Sequence, residues 1–257
     1  EEVYRAVRRK VEAWRRREGK VKVGLSPHAP YSVSPPLLKR LAEWARAEGL
    51  PLMVHAAESP EEVAFLARGE GPLREVYGRF AKTPWTPPGT TPVRHLHALG
   101  VLGPTTLLVH GVQVDEEEVG LLAETGTKVV LCPRSNANLE VGEAPLALYA
   151  KHGVELALGT DSRGSSPDLD VKNEARFLWG RAEPRLLVRA LTRGGYRALG
   201  LPTPRLTRGT PLSLVHFLGC DGLLPRRRAR PRPVPSSSTA SSQEGLRAAR
   251  PSSPAWP

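Results

Sequence analysis

The chain has 257 residues, 40% of them hydrophobic, which is enough for one large core, and no apolar run is long enough to span a bilayer. Two cysteines, Cys132 and Cys220, exclude a disulfide framework, and the charged start Glu1-Glu2-Val3-Tyr4 is no signal peptide, so a cytoplasmic protein is expected. The net charge of +11 invites a nucleic-acid reading, but about half of it falls after Asp221, and no zinc knuckle, aromatic RNA-binding signature or phosphate loop accompanies it, so no specific nucleic acid and no membrane are expected as partners.

In chain order, residues 5–17 have amphipathic spacing and predict a helix with a solvated basic face. Residues 21–25 predict a strand that ends in Ser26-Pro27-His28. Ser34 before Pro35 predicts a helix start. The run 52–54 predicts a second strand, ending in His55-Ala56-Ala57-Glu58. Ser59-Pro60-Glu61-Glu62 then has the spacing of a capping box. Residues 69–92, rich in Pro, Gly and Thr, predict an elaborated loop over the mouth of a site. Strands at 107–109, 129–131 and 156–158 end in His110-Gly111, in Cys132-Pro133-Arg134-Ser135-Asn136 and in Gly159-Thr160-Asp161. Asp115 and Glu118 repeat the capping-box spacing, and helices are expected over 169–179 and 184–199.

Short apolar strands alternating with helices imply an α/β fold with a parallel sheet covered by helices. In such a sheet the C-terminal strand ends share one rim, where sites are built. Each run here ends there in chemically useful residues. A strand-end histidine such as His55 can offer its imidazole to a metal, and Glu58, three residues on, can shuttle a proton. Taken singly, His55 also reads as a hydrogen-bonded rim histidine, and Asp161 as a metal ligand or as a helix N-cap. His110 reads as a ligand or as a group orienting a water, His28 as a substrate contact, and Cys132 as a small buried hydrophobe. The zinc cytidine-deaminase signature and the Gly-x-Ser-x-Gly elbow are both absent.

Ser-Pro-His-Ala-Pro-Tyr, His-Ala-Ala-Glu, Val-His-Gly, Cys-Pro-Arg-Ser-Asn and Gly-Thr-Asp-Ser, in that order, closely resemble the amidohydrolase superfamily, in particular its S-adenosylhomocysteine, methylthioadenosine and aminodeoxyfutalosine deaminases. The resemblance implies strands four to eight of a (β/α)8 barrel, a partial TIM-type barrel over residues 1–201. It implies a zinc ion held by His55 and Asp161. Glu58 would protonate the ring nitrogen and relay protons to the departing amine. His110 would polarise the attacking hydroxide, Asp161 would also deprotonate the water, and His28 would contact the sugar. Ser135 and Asn136 match a loop that supports the site. The implied reaction is hydrolytic deamination of an adenosine-type purine nucleoside, a small-molecule substrate. Attack on another C–N or C–Cl bond, or a non-catalytic fragment, are the alternatives. Related enzymes are often oligomers, which leaves a homo-oligomer open. The chain departs from the family pattern at the His-x-His pair of strand one. Its only such pair, His95-Leu96-His97, lies in a helix-start pattern, and residues two apart on a helix share no face. The ligands of strands one to three are thus expected to be missing, with weakened metal affinity and an open sheet edge.

Residues 202–221, with a strand at 211–217, read as the remnant of an accessory β-domain. Residues 222–257, rich in Arg, Pro and Ser, read as a disordered tail, either a basic segment for acidic partners or, preferably, the out-of-frame product of a GC-rich gene.

Overall fold

A computed structural model describes residues 1–19, 21–80, 85–203 and 207–208. The expected strand at 211–217 and the segment 222–257 lie outside these residues, as does most of 202–221.

The elements run α1 (Glu2–Arg15), α2 (Pro35–Glu48), β1 (Leu52–Ala56), α3 (Pro60–Arg68), α4 (Pro72–Phe80), α5 (Pro92–Ala98), β2 (Thr106–His110), α6 (Glu116–Thr125), β3 (Lys128–Leu131), α7 (Pro133–Asn138), α8 (Leu146–Lys151), β4 (Leu156–Leu158), α9 (Val171–Phe177), α10 (Pro184–Arg189), a π-helical turn (Ala190–Gly194) and α11 (Gly195–Ala198). The four strands form one parallel sheet in the order β1-β2-β3-β4, with His55 beside Val109, Val109 beside Val130, and Val130 beside Ala157.

Period-two alternation sorts the side chains. Leu52, Val54, Leu108, Val129, Leu131, Leu156 and Leu158 join one core with residues of the covering helices, among them Leu38, Leu41, Val93, Leu96 and Leu122. Each fully buried leucine adds roughly 1.5–3 kcal/mol. The opposite face carries Met53, His55, Leu107, Val130 and Ala157 by register. On it, Leu107, Val130 and Ala157 pack against Ala198 of α11, while Met53 stays 37% exposed. The chain from α10 to α11 passes so close to β4 that a Cβ on Gly194 would lie 3.1 Å from the Leu156 carbonyl carbon and 3.2 Å from Ala157 Cα.

Two expectations are corrected. Residues 21–25 form no strand; only Leu25 bridges to Leu52, its N–H donating to the Pro51 carbonyl at 2.8 Å and its carbonyl accepting from Met53 at 2.8 Å. Val21 is exposed, so nothing apolar holds the start of this run against the sheet. The expected loop at 69–92 contains α4. Pro72 opens that helix, and Phe65 of α3 meets Tyr77 of α4 and stacks on Trp85 at 4.0 Å between centroids.

All three helix starts follow the sequence, with Ser34, Ser59 and Asp115 at the caps, but only one makes the full reciprocal box. Asp115 and Glu118 form the full reciprocal box, at 2.8 and 3.0 Å. Ser59 accepts the Glu62 N–H at 3.2 Å, yet Glu62 does not return the bond to Ser59. Ser34 caps by position alone, without a side-chain bond. Among the described residues no helix is long and apolar enough to cross a membrane.

Candidate active site

β1 ends at Ala56, and Ala57 then takes a left-handed backbone with φ of 54°. β2 ends at His110, left-handed at φ of 74°, and Asp161 follows β4 at φ of 59°. Such angles are unfavourable for residues with a Cβ and persist where the surroundings impose them. At His110 the turn ends the strand's alternation, and its ring lies 5.6 Å from that of His55. Gly111 follows at φ of 57°; a Cβ there would strike the Tyr149 hydroxyl, which donates to the Gly111 carbonyl at 2.6 Å.

Three histidines thus line up. His28 and His55 have ring centroids 5.3 Å apart. The His55 Nδ1 lies 2.8 Å from the His28 carbonyl, so it carries the proton and Nε2 is left to face the site. His28 Nδ1 meets Ser32 Oγ at 2.7 Å, and burial together with neighbouring His55 lowers its pKa below 6.5. His110 is 1% exposed; its Nδ1 lies 2.8 Å from Asn136 Oδ1, and its Nε2 is 3.6 Å from Glu58 Oε1. Glu58 remains 23% exposed at its side chain, open to the rim.

Asp161 joins this cluster through α7. Ser135 and Ser165 both donate to Asp161 Oδ2, at 2.7 and 2.6 Å. Burial pulls the Asp161 pKa up, but these hydroxyls and nearby His110 outweigh it and hold the carboxyl below 3.8. Adjacent residues of one short helix therefore hold Asp161 through Ser135 and His110 through Asn136. Arg134, next to them, pins the following loop by a bidentate pair to Asp168, both bonds 2.8 Å, and its N–H donates to buried Glu174 at 3.0 Å. Arginine beside Asp168 holds that carboxyl well below its usual range.

The structure therefore brings His28, His55, His110 and Glu58 into one chain of contacts and ties Asp161 to it. Glu62, Ser165 and Glu174 were not singled out from the sequence; Glu62 had been absorbed by the capping-box spacing, and no local signal marks the other two. His95 and His97 sit on α5 as expected, His95 buried with its pKa lowered by burial and His97 exposed. Cys132 is buried, and burial pushes its thiol pKa far up, the state of an inert core residue.

A divalent metal fits His55 Nε2 and a carboxylate oxygen of Asp161 individually, since the partner of each donor already fixes its orientation. Among the described residues, however, no group of three His, Cys, Asp or Glu side chains is placed to hold a metal ion. A catalytic zinc needs three protein ligands, a number that the described residues do not bring together.

The aminodeoxyfutalosine deaminase of Deinococcus radiodurans is 43% identical over 226 residues, which cover 81% of this chain and 53% of that protein. A zinc-bound adenosine deaminase from Xanthomonas campestris superposes with a TM-score of 0.60 at 30% identity, covering 73% of this chain and 41% of the other. The aminofutalosine deaminase of Helicobacter pylori superposes at 0.70 with 25% identity, over 78% of this chain and 52% of the other. The chain thus spans about half the length of these relatives. The profile of the Amidohydrolase family matches residues 1–221, and with the parallel α/β sheet and its histidine rim this places the chain in the Amidohydrolase family.

Proposed function

We propose that this chain carries the proton-handling half of a metal-dependent aminohydrolase that deaminates an adenosine-type purine nucleoside, aminodeoxyfutalosine being the first to test. The observation that carries the reading is the rim itself: Glu58 facing His110 Nε2 at 3.6 Å, with the tilted His55 ring alongside at 5.6 Å between centroids and Asp161 tied in through α7. The likeness to the Deinococcus radiodurans enzyme supports the substrate class.

Glu58 would give a proton to a ring nitrogen of the base and pass one to the departing amine. His110, with Nδ1 bonded to Asn136, would use Nε2 to orient the attacking water. Asp161 would take a proton from that water on the oxygen the serines leave, and His28, the most exposed of the three rim histidines, would contact the sugar. His55 and Asp161 would hold zinc together with donors beyond the described residues; bound there, the ion makes water acidic enough to ionise near neutral pH.

The test is ammonia release from aminodeoxyfutalosine, methylthioadenosine, S-adenosylhomocysteine and adenosine, with zinc added. Glu58→Gln and Asp161→Asn are each expected to lower turnover by at least about 10²-fold. Unchanged turnover in either variant would refute its assigned role. The incomplete donor set favours a second reading, a chain that does not turn over by itself. Tight stoichiometric zinc together with turnover would rule that reading out.

A further inference from the structure

The carboxylate of Glu62 lies directly behind Glu58. It is 2% exposed, in the first turn of α3, and it does not close the capping box that its spacing suggests. Instead Oε2 accepts the Glu58 N–H at 2.9 Å, and the Ala57 N–H lies near enough to this carboxylate to favour its charged form. Its other oxygen has no hydrogen-bond partner. Two unfavourable features thus meet at one place: a buried acid with an unpaired oxygen, and an alanine held left-handed at φ of 54°. An apolar residue would fill the same volume without the first. What the acid adds is a fixed direction for the two residues between β1 and α3, the second of which is Glu58.

Resting on the function proposed above, we infer that Glu62 is a positioning residue: its buried carboxylate grips the N–H of Glu58, with that of Ala57 close by, and so aims the Glu58 side chain at His110 and at the substrate. The grip does not need a charge, because an un-ionised acid still offers a carbonyl oxygen to an N–H. Burial pushes the Glu62 pKa up to about 8, so glutamine resembles its neutral-pH form. Tyr31, beside His28 at 5.8 Å between rings, feels both Glu62 and Glu58, and burial plus these carboxylates keep its hydroxyl protonated up to about 12.

The experiment compares Glu62→Ala, Glu62→Gln and Glu58→Gln in the full chain. Readouts are amide hydrogen exchange at Ala57 and Glu58, the ring 15N shift of His110 at one fixed pH, and kcat and KM. Glu62→Ala is expected to speed exchange at those two amides about tenfold or more while α6 is unchanged. It should move the His110 signal in the same direction as Glu58→Gln. It should lower kcat about tenfold with KM within about twofold. Glu62→Gln should restore all three. If Glu62→Ala fails to fold, Glu62→Asp replaces it, one methylene too short to reach the Glu58 amide, with the same expected pattern. Wild-type exchange and an unmoved His110 signal in the alanine or aspartate variant would overturn the inference. So would loss in Glu62→Gln equal to theirs, or faster exchange spread evenly over the molecule. A wild-type chain with no turnover on any nucleoside counts against the proposed function instead, and the exchange and imidazole readouts then decide the positioning role by themselves.

Discussion

Adding one methyl group at each of two neighbouring glycines should have opposite effects. In Gly194→Ala the new Cβ would sit well inside contact with the Leu156 carbonyl oxygen, 3.1 Å from the carbonyl carbon and 3.2 Å from Ala157 Cα. These obstacles are backbone atoms of β4, so no rotamer change relieves them. In Gly195→Ala the Cβ meets nothing within 4 Å. Both variants gain about 0.5–1 kcal/mol from the lower backbone entropy of alanine in a helical conformation. Gly194→Ala also carries an overpacking penalty of about 1–3 kcal/mol, at the upper end because the strand must move. The net expectation is a loss of about 2 kcal/mol for Gly194→Ala and a gain of about 0.5–1 kcal/mol for Gly195→Ala. With roughly 2–4 °C per kcal/mol for a domain of this size, Tm should fall by about 4–8 °C in the first and rise by about 1–4 °C in the second. Thermal unfolding followed by circular dichroism reads both. Two variants melting within about 1 °C of each other would refute the close passage of the π-helical turn along β4.

Further expectations concern the buried polar groups. Glu62 has a folded-state pKa raised from 4.5 to about 8, so its contribution to stability is full below pH 4.5 and is lost as pH rises through 8. The loss is at most about 5 kcal/mol, and urea midpoints at pH 5 and pH 8.5 should converge in Glu62→Gln; an equal pH slope in variant and wild type contradicts this. Arg134→Met removes the bidentate bond to Asp168 and the only cation beside fully buried Glu174 among the described ion pairs, and should cost about 2–3 kcal/mol, with part recovered by adding Glu174→Gln. Additive effects in the double variant would speak against a shared network. Asn136→Leu leaves the buried His110 Nδ1 without its acceptor and should cost about 1–3 kcal/mol in denaturant unfolding, whereas a change under about 0.5 kcal/mol would deny that bond a structural role.

Much of this architecture could be read from local chemistry. β1, β2, β3 and β4 announce themselves because a strand buried on a parallel sheet must be apolar along its length and polar where it stops. His55, Glu58, His110 and Asp161 were visible for the same reason, as the polar stops themselves. The reading failed where tertiary contacts decide. Residues 21–25 have strand composition, but only Leu25 finds a partner, since a strand forms where a ladder exists and not where propensity alone is high. α4 was hidden by its own Pro72 and Gly78, which read as loop residues although one opens the helix and the other lies exposed within it. Glu62 was misassigned because spacing cannot tell which of two nearby N–H groups a carboxylate will choose.

The left-handed backbone at Ala57, His110 and Asp161 has a practical consequence for engineering. Each stands at the mouth of a strand, where glycine would relieve about 1 kcal/mol of backbone strain, but at His110 and Asp161 it would also strip the side-chain partner from Asn136 and from the Ser135 and Ser165 hydroxyls. A library sorted only for heat resistance should therefore keep the imidazole and the carboxylate, and only at Ala57, with no side-chain hydrogen bond to lose, does glycine stand to gain. A thermal screen on this scaffold thus retains two rim groups without any selection for function, because the bonds they make outweigh the strain of the backbone that presents them.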